Sequence, residues 1–160
     1  MVLVAISATP TEAGRWVNGG MFDPVRLVPV SFLRFLAEAG EGQMTIRCDE
    51  KGGLWVDAGV DGNGALPPGV TTGGGVDVTM TFIQAAGPVV VTMTGKALVR
   101  ADGAVLATME GATAAPLGPV LLEPAERVDI SIAGTVRPVP LADVHADIVA
   151  LADRCVAWPR

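Results

Sequence analysis

The residues able to carry chemistry are few and scattered. His145 is the single histidine, and it stands between Asp143 and Asp147. Positions two apart on a helix diverge by about 200° around the axis. The imidazole and the two carboxylates therefore do not share a helix face, and the reading is the flank of a solvated helix. Four acids, Asp49, Glu50, Asp57 and Asp61, crowd a stretch that reads as a hairpin. Paired carboxylates perform glycoside hydrolysis, so a hydrolase would be sought here. Acids at a hairpin tip are ordinarily solvated, however, and sugar sites carry aromatics. Aromatic residues make up 4% of this chain and none is tyrosine. The acid spacing is not that of a calcium-binding helix–loop–helix either.

The remaining motifs point away from catalysis. No Gly-x-Ser-x-Gly elbow is present. Gly95-Lys96-Ala97 lacks the preceding glycine and the following Ser or Thr of a phosphate loop. Gly73-Gly-Gly75 leads into a strand, so it offers no helix N-terminus to an anion. Cys48 and Cys155 do not form a Cys-x-x-Cys pair and bring too few companions for a structural zinc site. A reactive thiol sits exposed in electropositive surroundings, whereas Cys155 falls on an apolar stripe. Two readings of the cysteines stay open. They form one disulfide if the protein is exported, or two buried thiols if it is cytoplasmic. A bridge closing a loop of roughly 100 residues contributes about 4–5 kcal/mol in the chain-entropy model. Trp16, Trp55 and Trp158 are either a binding face or plugs at the ends of a small core, and packing is the favoured reading. No catalytic, cofactor-binding or metal-ligating residue is assigned.

The elements that would position these residues are mostly strands. Residues 43–48 alternate, with Met44, Ile46 and Cys48 on one face and Thr45 and Arg47 on the other. A turn at 49–53 and a return at 54–58 make a hairpin. Residues 76–82 and 127–132 alternate in the same way. Residues 89–93 read as a strand, and 97–109 as a hairpin around Asp102-Gly103. Residues 2–7 read as an N-terminal edge segment. Residues 14–17 are a short strand closed by Asn18-Gly19-Gly20. Residues 25–39 read as strand, with a helix ending at Gly40 as the alternative. Residues 59–75 are a Gly- and Pro-rich loop. After Pro140, Leu141, Val144, Ile148, Leu151 and Cys155 recur at steps of three and four, which predicts a closing helix over 141–155. The expected fold is mainly β, an antiparallel sandwich or barrel-like sheet closed by that C-terminal helix. It is expected as one domain over 1–160, with 1–13 as its edge segment. Cys48 and Cys155 both point inward in this arrangement, so a strand–helix bridge is geometrically feasible.

Half of the 160 residues are hydrophobic and 18% are charged, a globular composition. The net charge is −6. The two lysines, Lys51 and Lys96, and the dispersed arginines give no basic footprint, which argues against nucleic acid as a partner. No run approaches the roughly 20 apolar residues of a spanning helix, so membrane insertion is not expected. The N-terminal run lacks the basic region of a signal peptide. Either the chain is used without export or a leader precedes it.

Three short motifs occur in order: Gly14-Arg15-Trp16; Met44-Thr-Ile-Arg-Cys48 followed by Leu54-Trp-Val-Asp57; and Leu151-Ala-Asp-Arg-Cys155-Val-Ala-Trp158. In this the chain resembles the VasI-type proteins associated with type VI secretion and, more loosely, the invasion-associated periplasmic proteins. The resemblance covers roughly residues 14–158. It implies a bacterial β-sandwich-like accessory domain with a closing helix, periplasmic or extracellular, without known catalysis, in which Cys48 and Cys155 are the matching cysteines. The terminal motif departs from the family in carrying Val156-Ala157 where one glycine is usual. The expected function is thus a non-enzymatic structural or interaction module. Its expected partner is a protein, within a larger assembly or a homo-oligomer. The rival expectation is a structural subunit of a bacteriophage-like particle, a capsid accessory or tail protein, in the virion or cytoplasm. A hydrolase using the acidic hairpin is the third.

Overall fold

The computed structural model of the protein describes residues 14–23, 28–48 and 51–160. The expected edge segment 1–13 and the acids Asp49 and Glu50 lie outside the described residues.

Period-two alternation builds the chain into strands, and the inward set of each strand becomes core. In β3 (Gln43–Cys48) Met44 and Ile46 are buried. In β4 (Leu54–Val60) the buried set is Leu54, Val56, Ala58 and Val60. β5 (Gly75–Gln84) buries Val76, Val78, Met80 and Phe82. These meet Ile132, Ile130 and Val128 of β8 (Arg127–Ile132) on one side. On the other they meet Met93 and Val91 of β6 (Gly87–Val99). Burying each such side chain is worth roughly 1.5–3 kcal/mol. The sheet is completed by β1 (Arg15–Asp23), β2 (Val28–Leu36), β7 (Val105–Glu110) and β9 (Thr135–Pro140).

Among the described residues, nine strands form one antiparallel sheet in the order β1-β2-β3-β4-β7-β6-β5-β8-β9. The sheet curls until β4 packs on β8 and β9, although they lie several places away in the order. Among the described residues, the curl is closed onto β9 by the Asp61–Arg137 ion pair and by two hydrogen bonds to its carbonyls. The Gly42 amide donates to Pro138 O at 2.9 Å, and Trp16 Nε1 donates to Pro140 O at 2.6 Å. The expected mainly β fold with a closing C-terminal helix is present, in its barrel-like form and not as two stacked sheets.

That helix, α2 (His145–Arg154), packs against β2. Leu141, Val144, Ile148, Leu151 and Cys155 are all buried, as the stripe predicts, while Asp143, Asp147 and Arg154 are exposed. The helix begins at His145 and not at Leu141. The Leu141 amide is committed to Glu126 O at 2.9 Å, at the start of β8, so the chain leaves the sheet through a turn before it coils.

Other expectations change in detail. Residues 28–36 are strand. β1 runs straight through Asn18-Gly19-Gly20 because the β2 backbone pairs with it along its whole length. The expected strands at 89–93 and 97–100 are one strand, β6, which pairs with β5 along its first part and β7 along its last. The turn from β6 to β7 has Gly103 at φ +85° after Asp102, as an Asp-Gly hairpin requires. β9 was hidden by Pro138 and Pro140. Proline is tolerated on an edge strand, where a missing N–H breaks no ladder bond. A five-residue helix, α1 (Leu117–Leu121), lies in the connection from β7 to β8 and buries Leu117 and Leu121.

Candidate functional site

Of the acidic stretch, the described residues Asp57 and Asp61 do not converge. Asp57 points outward from the middle of β4, and its Oδ1 accepts from Trp55 Nε1 at 3.1 Å and Thr108 Oγ1 at 2.7 Å. Asp61 lies beyond the end of β4 and pairs with Arg137 Nε at 2.5 Å. Each carboxylate is thus engaged in a different part of the sheet. Among the described residues no group of three or more His, Cys, Asp or Glu side chains is placed to hold a metal ion.

His145 is not on a solvated flank. It is half-buried at the start of α2, with Nε2 2.8 Å from the Leu122 carbonyl beyond α1. The ring joins the two helical segments by donating from Nε2. Asp143 and Asp147 remain exposed and apart from it.

Cys48 and Cys155 are brought together, with their sulfurs bonded at 2.04 Å and their Cα atoms 5.8 Å apart. The bond joins the end of β3 to the residue that follows α2. The chain after it stays pinned to the body. The Ala157 amide donates to Gly52 O at 2.6 Å, and Trp158 Nε1 donates to Gly118 O at 3.0 Å.

The three tryptophans do not form one face. Trp158 is buried, and Trp16 packs on Phe35 with ring centroids 5.6 Å apart. Trp55 is half-buried and carries the Arg47 guanidinium 4.0 Å above its ring, at cation–π distance. Arg47 Nε is buried without a hydrogen-bond partner, so the indole face is what holds it.

The feature that sequence reading missed lies on the outer face of β2, β3, β4, β7 and β6. The strand registers align Arg34, Thr45, Asp57, Thr108 and Lys96 in one row across five strands. The next row holds Gln43, Gly59, Leu106 and Leu98. Gly59 carries no side chain, and Leu106 leans over its Cα. Between the rows runs a trough of about 590 Å³, with Arg34 and Arg100 among its lining residues. Leu98 is 50% exposed on its wall. A second hollow of about 270 Å³, lined by Gly73, Lys96 and Glu110, continues it and shares Thr108 with it. No single stretch of sequence announces this surface, because its residues come from five strands. The usable signal is the outward set of each alternating strand.

The electrostatics of the trough differ from those of the rest of the sheet. Arg127 is paired with Asp129 at 3.0 Å and Glu126 at 3.5 Å. The hydrogen bond and charge of Asp129 hold its guanidinium above the ordinary arginine range. Arg137 is paired with Asp61 and Arg160 with Asp153. Among the described residues no carboxylate pairs with Arg34, Lys96 or Arg100. Arg34 rests over the Phe32 ring at 5.2 Å and reaches Thr45 Oγ1 at 3.4 Å. The trough can therefore offer cations and hydroxyls to a ligand, while one oxygen of its central carboxylate is already engaged by Trp55 and Thr108.

No helix among the described residues is long and apolar enough to cross a membrane. The chain matches no protein-family model, no curated protein and no solved structure.

Proposed function

We propose that this protein is a non-enzymatic interaction module, of the kind found in secretion-associated accessory domains, and that its working surface is the trough on the outer face of β2, β3, β4, β7 and β6. The observation that carries this reading is Asp57. The carboxylate at the centre of the trough accepts hydrogen bonds from Trp55 and Thr108 through one oxygen. A carboxylate held in this way by its neighbours shapes the surface around it. The disulfide between Cys48 and Cys155 supports an oxidising compartment, periplasmic or extracellular, as the place of work.

A photo-crosslinking residue placed at Leu98 tests the surface in the native host, with the same residue at Val136, exposed on β9, as the control. Capture of a defined protein partner from Leu98 and not from Val136 is the expected result. Equal capture from both positions, or none from Leu98, rejects the trough as the working surface.

A further inference from the structure

We infer that the trough binds an acidic, extended segment of a protein partner, with carboxylates at both ends of a stretch of about six residues. This rests on the trough being the working surface. The first support is charge. The whole chain carries −6, yet β2, β3, β4, β7, β6 and the residue after β6 present Arg34, Arg47, Lys96 and Arg100 against Asp57 and Glu110. Of these cations, Arg34, Lys96 and Arg100 have no carboxylate partner among the described residues, while Arg127, Arg137 and Arg160 elsewhere are each paired and Arg154 at the end of α2 stands as a single cation likewise without one. An acidic protein that leaves unpaired cations on one face attracts anionic partners to that face.

The second support is length. Arg34 and Lys96 stand at the two ends of the row, four strand spacings apart. At about 4.8 Å per spacing the row measures roughly 19 Å along the sheet. An extended chain advances about 3.3 Å per residue, so about six residues span it. A small anion would engage one end only.

The third support is the middle of the row. Thr45, Asp57 and Thr108 lie between the cations. Asp57 disfavours a carboxylate there, whereas hydroxyls and amides suit neutral polar residues. Leu98 and Leu106 supply an apolar wall beside the row. The recognised pattern is therefore acid, neutral polar stretch, acid.

The test is amide chemical-shift titration of the isotope-labelled oxidised protein with the peptide acetyl-Glu-Gly-Ser-Ser-Gly-Glu-amide. Its twin with glutamine at both ends and citrate are titrated in parallel. Saturable shifts confined to β2, β3, β4, β7 and β6 are expected, with affinity about tenfold lower for the glutamine twin, since two exposed ion pairs are lost. Arg34→Gln and Lys96→Gln each weaken the glutamate peptide while leaving the unbound spectrum folded. Having two variants guards against one that misfolds. Equal binding of both peptides, shifts on another face, or indifference to both substitutions overturns the inference. So does citrate reproducing the shifts at equal concentration, which marks a small-anion site. Concentration-dependent shifts of the same residues without peptide mark a second copy as the occupant and also overturn it. Crosslinking from Leu98 without peptide binding would reject the acidic pattern and leave the working surface standing.

Discussion

The indole Nε1 of Trp16 donates to the carbonyl of Pro140 at 2.6 Å, joining the first strand of the sheet to the last. The two residues are 124 positions apart. Gly42, beside β3, and Asp61, after β4, also hold β9 through Pro138 O and Arg137. Trp16→Phe keeps the ring against Phe35 and removes the donor. The expected loss is about 1 kcal/mol, the net worth of one hydrogen bond. Urea unfolding of the two proteins, read by far-ultraviolet circular dichroism, measures it.

Removing the bridge with Cys48→Ala and Cys155→Ala together has a larger effect. The cysteines are 107 positions apart, for which the chain-entropy model gives about 5 kcal/mol. The variant should unfold at clearly lower denaturant than the oxidised protein. Wild type kept in reductant should move in the same direction. Mass analysis of the unreduced protein, two mass units below its reduced form, establishes the starting state.

Asp57→Ala strips the acceptor from Trp55 Nε1 and Thr108 Oγ1 at once. A hydrogen bond to a charged group contributes about 1.5–3 kcal/mol, so a loss of about 2 kcal/mol is expected in urea. Asp57→Asn retains an acceptor oxygen and should lose roughly half as much. Equal losses for the two variants would show that the charge and not the acceptor matters.

Gly118 tests the docking of the C-terminal segment. A Cβ there would sit 2.2 Å from Pro159 O, a backbone atom. Gly118→Ala should lift the segment and break the Trp158 bond to Gly118 O. Tryptophan emission should shift to the red as Trp158 meets water. In the same protein with Trp158→Phe, the shift should vanish.

Strands with one buried face were legible because their pattern repeats within a few residues, as at Met44-Thr-Ile and Val76-Asp-Val. The closing helix was legible for the same reason, from Leu141 to Cys155. What escaped was set by contacts between distant segments. β1 continues through Gly19 and Gly20 because β2 is paired alongside, not because glycine favours a strand. β9 is a strand despite Pro138 and Pro140 because its pairing with β8 does not need their missing N–H groups, while their carbonyls accept from Gly42 and Trp16. His145 gained a partner in Leu122, 23 positions away, which local spacing does not reveal. The trough escaped most completely. Thr45, Asp57 and Thr108 are ordinary outward residues until strand register sets them side by side.

The bond between Cys48 and Cys155 divides the protein into a covalent ring and two free arms. The ring encloses β4 to β9 and both helices. β1 and β2 lie wholly outside it, at one end of the strand order. Their opening leaves the closed loop intact, whereas the strands within it unfold into a chain whose freedom the cross-link reduces. The protein should therefore loosen from its first hairpin inward, in two stages. The row that begins at Arg34 on β2 would lose its first cation in the earlier stage, while Thr108 and Lys96 keep their places.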